Sequence, residues 1–205
     1  ETRSCPNVIS LENKNRSLAA LLFTVFLDMV GISIVIPILA PLFLNPSSGI
    51  LDASVGFSAR TAMLGFLLAS YPLAQFFGAP ILGALSDRHG RKKILQFSLF
   101  GTFLGWVVFA IGLGAHSIAL LFIGRIMDGL TGGNISVALS AVADLSAEKE
   151  KARNFGLIGM VFGFGFIIGP FIGGKLADPS VVSWFDFTSP IWFDAILSAL
   201  NIIAL

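Results

Sequence analysis

Asp28 stands in Leu27-Asp28-Met29-Val30-Gly31, inside a run from 17 to 44 that carries no other charge. It lies about 11 residues into that run, or ~16 Å at the helical rise of about 1.5 Å per residue, near the middle of a bilayer. A carboxylate at that depth is costly unless it faces a cavity or a partner. It reads either as a protonatable group or cation contact on a translocation path, or as a structural Asp bonded to a neighbouring helix. Arg125 and Asp128 lie in a second apolar run, three residues apart and so on one helix face, where they can pair. The same rise puts Arg125 only about 5 Å from Asp28 in depth, so the three can form one charge cluster. A guanidinium neighbour favours an ionised carboxylate and burial favours a neutral one, which is the balance that proton coupling requires. The rival reading is a static ion pair that sets helix register. Asn134, further along the same run, is either a substrate contact or a cross-helix hydrogen-bonding group.

Two other stretches stand out. The first is Gly83-Ala84-Leu85-Ser86-Asp87-Arg88-His89-Gly90-Arg91-Lys92-Lys93, where seven of eleven residues are charged, Ser or His in a chain that is only 12% charged. Between long apolar segments it reads as a tight loop at a membrane surface. In the second, Gly165, Gly169 and Gly173 recur every four residues around Pro170, followed by Gly174. They read as a smooth packing seam, or as a flexible seam in a moving protein, and Pro170 invites a kink. No phosphate-binding loop or Ser-His-Asp arrangement occurs. Cys5 stands alone, and neither His89 nor His116 has a ligand-spaced neighbour, so no metal, no cofactor and no enzyme chemistry is expected.

Of the 205 residues, 55% are hydrophobic, and the mean hydropathy is +0.88. Soluble domains carry about 25% charged residues, roughly twice the share here. Six segments are long enough to cross a bilayer: 17–44, 60–85, 94–113, 118–143, 154–177 and 190–205, with proline breaks in the first and fifth. Residues 1–16 read as a solvated tail and 17–205 as the transmembrane domain. The tail and the linkers 86–93 and 144–153 hold ten Lys and Arg, and the opposite side holds Arg60 alone. That asymmetry puts the N-terminus and the basic loops in the cytoplasm and leaves no role for nucleic acid. The fold class is an all-α polytopic membrane protein. Its six transmembrane helices form two inverted three-helix repeats, the plan of secondary transporters. Asp194 falls either at the outer mouth or in the cavity. The apolar run still open at Leu205 reads as the cut end of a longer polypeptide.

The motifs resemble those of the major facilitator superfamily. Gly83 to Lys92 is similar to its signature loop between helices two and three, and Arg125 to Gly129 to its fourth-helix motif. Gly165, Gly169, Pro170, Gly173 and Gly174 resemble the fifth-helix motif of proton-driven antiporters. Leu27 to Gly31 with Pro37, and Ala141 to Asp144, resemble the tetracycline efflux group. The resemblance implies half of a twelve-helix fold, lacking the C-terminal six helices. It implies that Asp87, Arg88 and Arg91 form a cytoplasmic gate latch against the other half, which leaves them poorly paired within this chain. Gly83 and Gly90 would allow close approach and the turn. Pro170 and its glycines would shape the interface between halves. Asp28, Arg125, Asp128 and Asn134 would belong to the cavity and its proton linkage. Where tetracycline exporters carry an acid in helix three this chain has Gly105, which speaks against tetracycline itself, and Asp128 and Asp194 are extra acids. The implied function is alternating-access export of a small amphipathic organic compound in exchange for protons, with lipid, protons and the missing half as partners. The implied location is the plasma or bacterial inner membrane. The rivals are a symporter or uniporter of a sugar, peptide or metabolite, and a non-transporting receptor or assembly partner.

Overall fold

The computed structural model describes residues 11–204, with side chains from 16 to 203. Eight α-helices are present among them: α1 (Leu11–Ile34), α2 (Ile36–Leu44), α3 (Phe57–His89), α4 (Arg91–Gly114), α5 (Ile118–Thr131), α6 (Asn134–Leu145), α7 (Glu148–Leu176) and α8 (Ser189–Ala204). They build the six expected spans, two of them from paired helices. Five spans are long and apolar enough to cross a membrane, and α8 is a shorter apolar helix. Residues 1–10 of the expected tail lie outside the described residues, and from Leu11 on the chain is already helical.

One of the two expected breaks is present. The first span breaks at Val35, just before Pro37, which has no N–H to offer the carbonyl of Ser33. The fifth span does not break, because Pro170 sits inside a continuous α7. One lost hydrogen bond costs less in lipid than the several bare backbone groups of an interruption. The unexpected break is in the fourth span at Gly132-Gly133, between α5 and α6. The two broken spans open the two sets of three, as an inverted repeat requires.

Pairing follows the same symmetry. The first span packs against the fifth (α1 on α7) and the fourth against the second (α5 on α3), while α4 packs on α5 as α8 does on α1. Small residues set the distances. A Cβ at Gly129 would lie 2.8 Å from Ala74 Cβ, and one at Gly124 2.8 Å from the Gly105 carbonyl oxygen, so backbones meet where glycine leaves no side chain. Two apolar clusters result. One includes Phe43, Leu67, Trp106 and Leu121, and the other Val25, Leu95, Val137 and Ile158.

The linkers on the basic side are shorter than expected. Ser86–His89 form the last turn of α3, and only Gly90, at φ 93°, separates α3 from α4. Residues 148–153 are the first turns of α7. On the opposite side Arg60, 1% exposed, ties the connection from α2 to α3. Its Nε donates to the Val55 carbonyl at 3.0 Å and Nη1 to that of Phe43 at 3.1 Å. Its Nη2 donates to Leu51 at 3.3 Å and Asp52 at 2.6 Å. Asp52 closes the turn by accepting from Ser54 N at 2.8 Å and Ser54 Oγ at 2.6 Å. Those bonds hold its carboxyl below the usual carboxylate range.

Candidate functional site

A charged layer lies between the two apolar clusters. Arg125 and Asp128 are each 4% exposed, and Asn134 and Asp194 are more deeply buried still. Asp28, Asp128, Asn134, Asp194, Thr102 and Ser198 all line one enclosed space of about 10 Å³, roughly the room of a single water. The structure brings Asp28, Arg125 and Asp128 together as their depths suggest, with Arg125 beside Asp128 as their spacing allows. Arg125 Nη1 stands 3.7 Å from Asp128 Oδ2, and its guanidinium lies 4.8 Å from the centre of the Tyr71 ring. Asp28 accepts instead from Asn134 Nδ2 at 2.7 Å. The break at Gly132-Gly133 starts a new helix at Asn134 and turns its amide toward α1.

Asp194 was ambiguous in the sequence. The structure places it in the cavity, with its carboxylate oxygens 2.5 and 2.7 Å from where a Cβ on Gly31 would be. Gly31 is thus the gap on α1 that lets α8 bring in a third acid. Gly105 plays the matching part for α5: a Cβ there would lie 2.9 Å from Asp128 N and 3.1 Å from Asp128 Cβ. A side chain at 105 has no room, and an acid on the fourth span stands beside that point. Sequence reasoning missed Tyr71, Thr102 and Ser198 as cavity residues, because a lone hydroxyl in an apolar span carries little signal.

The gate loop differs from expectation in its pairing. Arg91 Nη1 lies 2.7 Å from Asp87 Oδ1 and donates to Ser86 Oγ at 2.7 Å, and its Nε reaches Asp144 Oδ2 at 3.0 Å. Asp87 and Arg91 are thus well paired within this chain. The reason is that α6 ends beside the α3–α4 junction and brings Asp144, an acid the loop reading did not count. Arg88 is exposed and has no ion pair among the described residues. Gly90 makes the turn as expected, but Gly83 faces open space and permits no close approach among the described residues.

The fifth-span glycines form the packing seam their spacing suggests, but against α1 rather than toward the interface the resemblance implies. Gly165, Gly169 and Gly173 lie buried against α1, a Cβ at Gly165 falling 2.5 Å from Met29 Cβ and one at Gly169 2.7 Å from the Val30 carbonyl oxygen. Ser33 Oγ sits in this seam, 2.7 Å from the Met29 carbonyl oxygen and 3.1 Å from that of Gly165. These three glycines join two spans of this chain rather than facing outward to a second half, while Gly174 looks into open space.

Residues 21–205 match the family model described as Major Facilitator Superfamily. The chain is 39% identical over 175 residues to the class H tetracycline resistance protein of Pasteurella multocida, covering 85% of this chain and 41% of that protein. It is 30% identical over 190 residues to the quinolone resistance protein NorA of Staphylococcus aureus, covering 92% of this chain and 45% of that protein. The chain thus spans less than half the length of these curated relatives. Its fold is that of the human organic anion transporter MFSD10, at a TM-score of 0.71 and 23% identity, over 93% of this chain and 46% of that one. A polytopic helical chain with this signature loop, this pair of broken spans and these relatives belongs to the Major Facilitator Superfamily.

Proposed function

We propose that this chain is the N-terminal half of an alternating-access drug exporter that exchanges a small amphipathic organic compound for protons. The observation that carries the reading is the enclosed charged space. Asp28, Asp128 and Asp194, from three different spans, share it, and Arg125 stands beside it. An apolar core supports that many acids against one guanidinium only if protons or a cation complete the balance, and such groups in a membrane mark ion pathways. In this reading Asp28 carries the exchanged proton. Arg125 and Asp128 adjust the local charge, and Asn134 reports the state of Asp28 to the fourth span.

The gate residues act at the other end. Gly90 sets the angle between the second and third spans, and Arg91 links them to the end of the fourth through Asp87 and Asp144. Arg88 remains free to meet a further half of six helices. The N-terminus and these basic turns lie on the cytoplasmic side of the plasma or bacterial inner membrane, as the charge asymmetry requires. No cofactor takes part, since the proton gradient supplies the energy. Both drug-resistance relatives support export over uptake.

The test uses the full-length protein in sealed vesicles with an imposed proton gradient and a fluorescent amphipathic dye. Dye movement opposite to the proton flux is expected, and Asp28→Asn should abolish it. Dye movement along the proton flux refutes exchange, and full gradient-driven transport by Asp28→Asn refutes the assignment of Asp28.

A further inference from the structure

A second space lies on the side opposite the basic turns, where the end of α7 meets the start of α8. It has a volume of about 440 Å³, and its wall includes Trp184, Phe185, Asp186, Trp192, Phe193 and Ile196. Trp184 is 73% exposed and packs its ring edge to face on Phe185, at 4.7 Å between centres. Tryptophan gathers at membrane surfaces, where an apolar ring with one polar edge suits the headgroup level. The faces of these rings carry the negative part of their quadrupole and attract cations.

Asp186 is the one ionisable residue on this wall among the described residues. Thr188 N, Thr188 Oγ1, Ser189 N and Ser189 Oγ all turn to its Oδ1, at 2.8, 2.7, 3.0 and 3.1 Å. Its Oδ2 takes no hydrogen bond among the described residues. Partial burial works against the charge, but the turn bonds outweigh it and hold the carboxyl below the usual carboxylate range. At neutral pH the pocket therefore combines electron-rich rings with an anionic oxygen that has spare acceptor capacity. From the pocket α8 carries an apolar track inward: Trp192, Ile196, Leu200 and Ile203 recur at helical spacing and are all exposed. The other face of α8, with Ile191, Asp194, Ala195 and Asn201, is buried, and the helix packs on α1 and α4. Pocket and track share Trp192 and Ile196.

We propose that this pocket holds the headgroup of an aminoethyl phospholipid, with its primary ammonium between Asp186 and the rings of Trp184 and Trp192 and an acyl chain along α8. Charge complementarity selects the occupant. A cation answers both the rings and the carboxylate, whereas an anionic glycerol headgroup brings a phosphate and no cation to the same acid. The spare carboxylate oxygen asks for an N–H donor, which a primary ammonium has and a quaternary one lacks. The apolar track asks for a chain attached to that cation, which sets a lipid apart from a dissolved amine. A bound lipid fastens the connection from α7 to α8 to the membrane surface, and the site stands whether or not the chain exchanges protons.

The test is native mass spectrometry of the detergent-solubilised full-length protein, equilibrated at neutral pH with equal amounts of dioleoyl phosphatidylethanolamine, phosphatidylcholine and phosphatidylglycerol. Wild type should retain the ethanolamine lipid about tenfold over the glycerol lipid and several-fold over the choline lipid, as one ring contact and one ion pair at a surface allow. Asp186→Asn keeps the shape of the turn and should cut the preference over the glycerol lipid to about threefold or less. Trp192→Leu should lower retention of the ethanolamine lipid several-fold. Asp178→Asn is the control: this acid is on the same connection, accepts from Ser180 N at 2.9 Å and is not on the pocket wall, so the preference should stay as in wild type. A preference kept by Asp186→Asn, or lost equally in Asp178→Asn, overturns the proposal. So does retention of the choline lipid equal to that of the ethanolamine lipid. Absence of any lipid preference in wild type also overturns it, the face then being covered by the rest of the polypeptide or, if the mass doubles, by a second copy.

Discussion

Gly169 and Gly174 are five residues apart on α7, and a methyl group added at each meets opposite surroundings. At Gly174 a Cβ has no neighbour within 4 Å, so alanine brings only its better helix propensity, about 1 kcal/mol. At Gly169 the same atom would overlap Ser33 Oγ and lie 2.7 Å from the Val30 carbonyl oxygen and 3.1 Å from Ser33 Cβ. The carbonyl is backbone and cannot move alone. The single hydroxyl proton has three carbonyls within reach, Met29 O at 2.7 Å, Val30 O at 3.1 Å and Gly165 O at 3.1 Å. Either α1 retreats or Ser33 rotates and abandons α7. Overpacking of this kind costs about 1–3 kcal/mol and the lost hydrogen bond about 1 more, against the propensity gain of about 1. Gly169→Ala should therefore be destabilised by about 1–3 kcal/mol and Gly174→Ala stabilised by up to about 1. At roughly 2–4 °C per kcal/mol for a domain of this size, the two melting temperatures should differ by roughly 2–16 °C. Thermal unfolding of the full-length protein in detergent, followed by tryptophan fluorescence, reads this directly. If Gly169→Ala melts at or above Gly174→Ala, the seam between the first and fifth spans is not packed as described.

Three further outcomes follow from the geometry. Asp194→Asn should lower gradient-driven transport by about tenfold or more, equivalent to about 1.4 kcal/mol, while leaving the melting temperature nearly unchanged. Equal loss of both would make Asp194 structural. Arg60→Leu strips the shared donor from four carbonyls and should destabilise the protein by about 3 kcal/mol or more, with faster proteolysis between 45 and 56 as the second readout. Asp186, in the linker before α8, pays a penalty for partial burial. It nevertheless accepts from Thr188 N at 2.8 Å, Thr188 Oγ1 at 2.7 Å and Ser189 N at 3.0 Å, which holds its carboxyl below the usual value. A lowered folded value means this stabilisation is present at neutral pH and is lost as the pH falls through the carboxylate range. The effect is below about 1 kcal/mol for so exposed a group, and Asp186→Asn should flatten that part of the stability profile.

Much of this arrangement was legible from residue types and spacing. The spans follow from apolar run length, because lipid forces the backbone to satisfy itself within each helix. Asp28, Arg125 and Asp128 could be singled out because a charge in such a run demands a partner. The spacing named Asp128 as the partner of Arg125, but the partner of Asp28 was not legible. Arg125 pairs with the acid three residues away, and Asp28 with an amide delivered by the break at Gly132-Gly133. That break shows in the sequence only as two adjacent glycines, which equally suit close packing. The Asp87–Arg91–Asp144 contact escaped for a related reason. It depends on where α6 ends, and helix ends shift by several residues without any change in composition. Pro170 suggests a break in the fifth span because its chemistry disfavours helix interiors. The neighbouring contacts with α1 that keep α7 continuous are tertiary and leave no local mark.

The buried Arg60 also decides where a reporter can be attached. Four carbonyls between Phe43 and Val55 converge on one guanidinium, so that connection behaves as a fixed knot rather than a tether. A fluorophore or epitope inserted there would unfasten the start of the second span and disturb the motion it was meant to report. The connection from α7 to α8 is closed by a local turn at Asp186, and its stretch at Pro179–Val181 is exposed. A label carried at that stretch would follow the fifth span while leaving the charged layer and its apolar seals untouched.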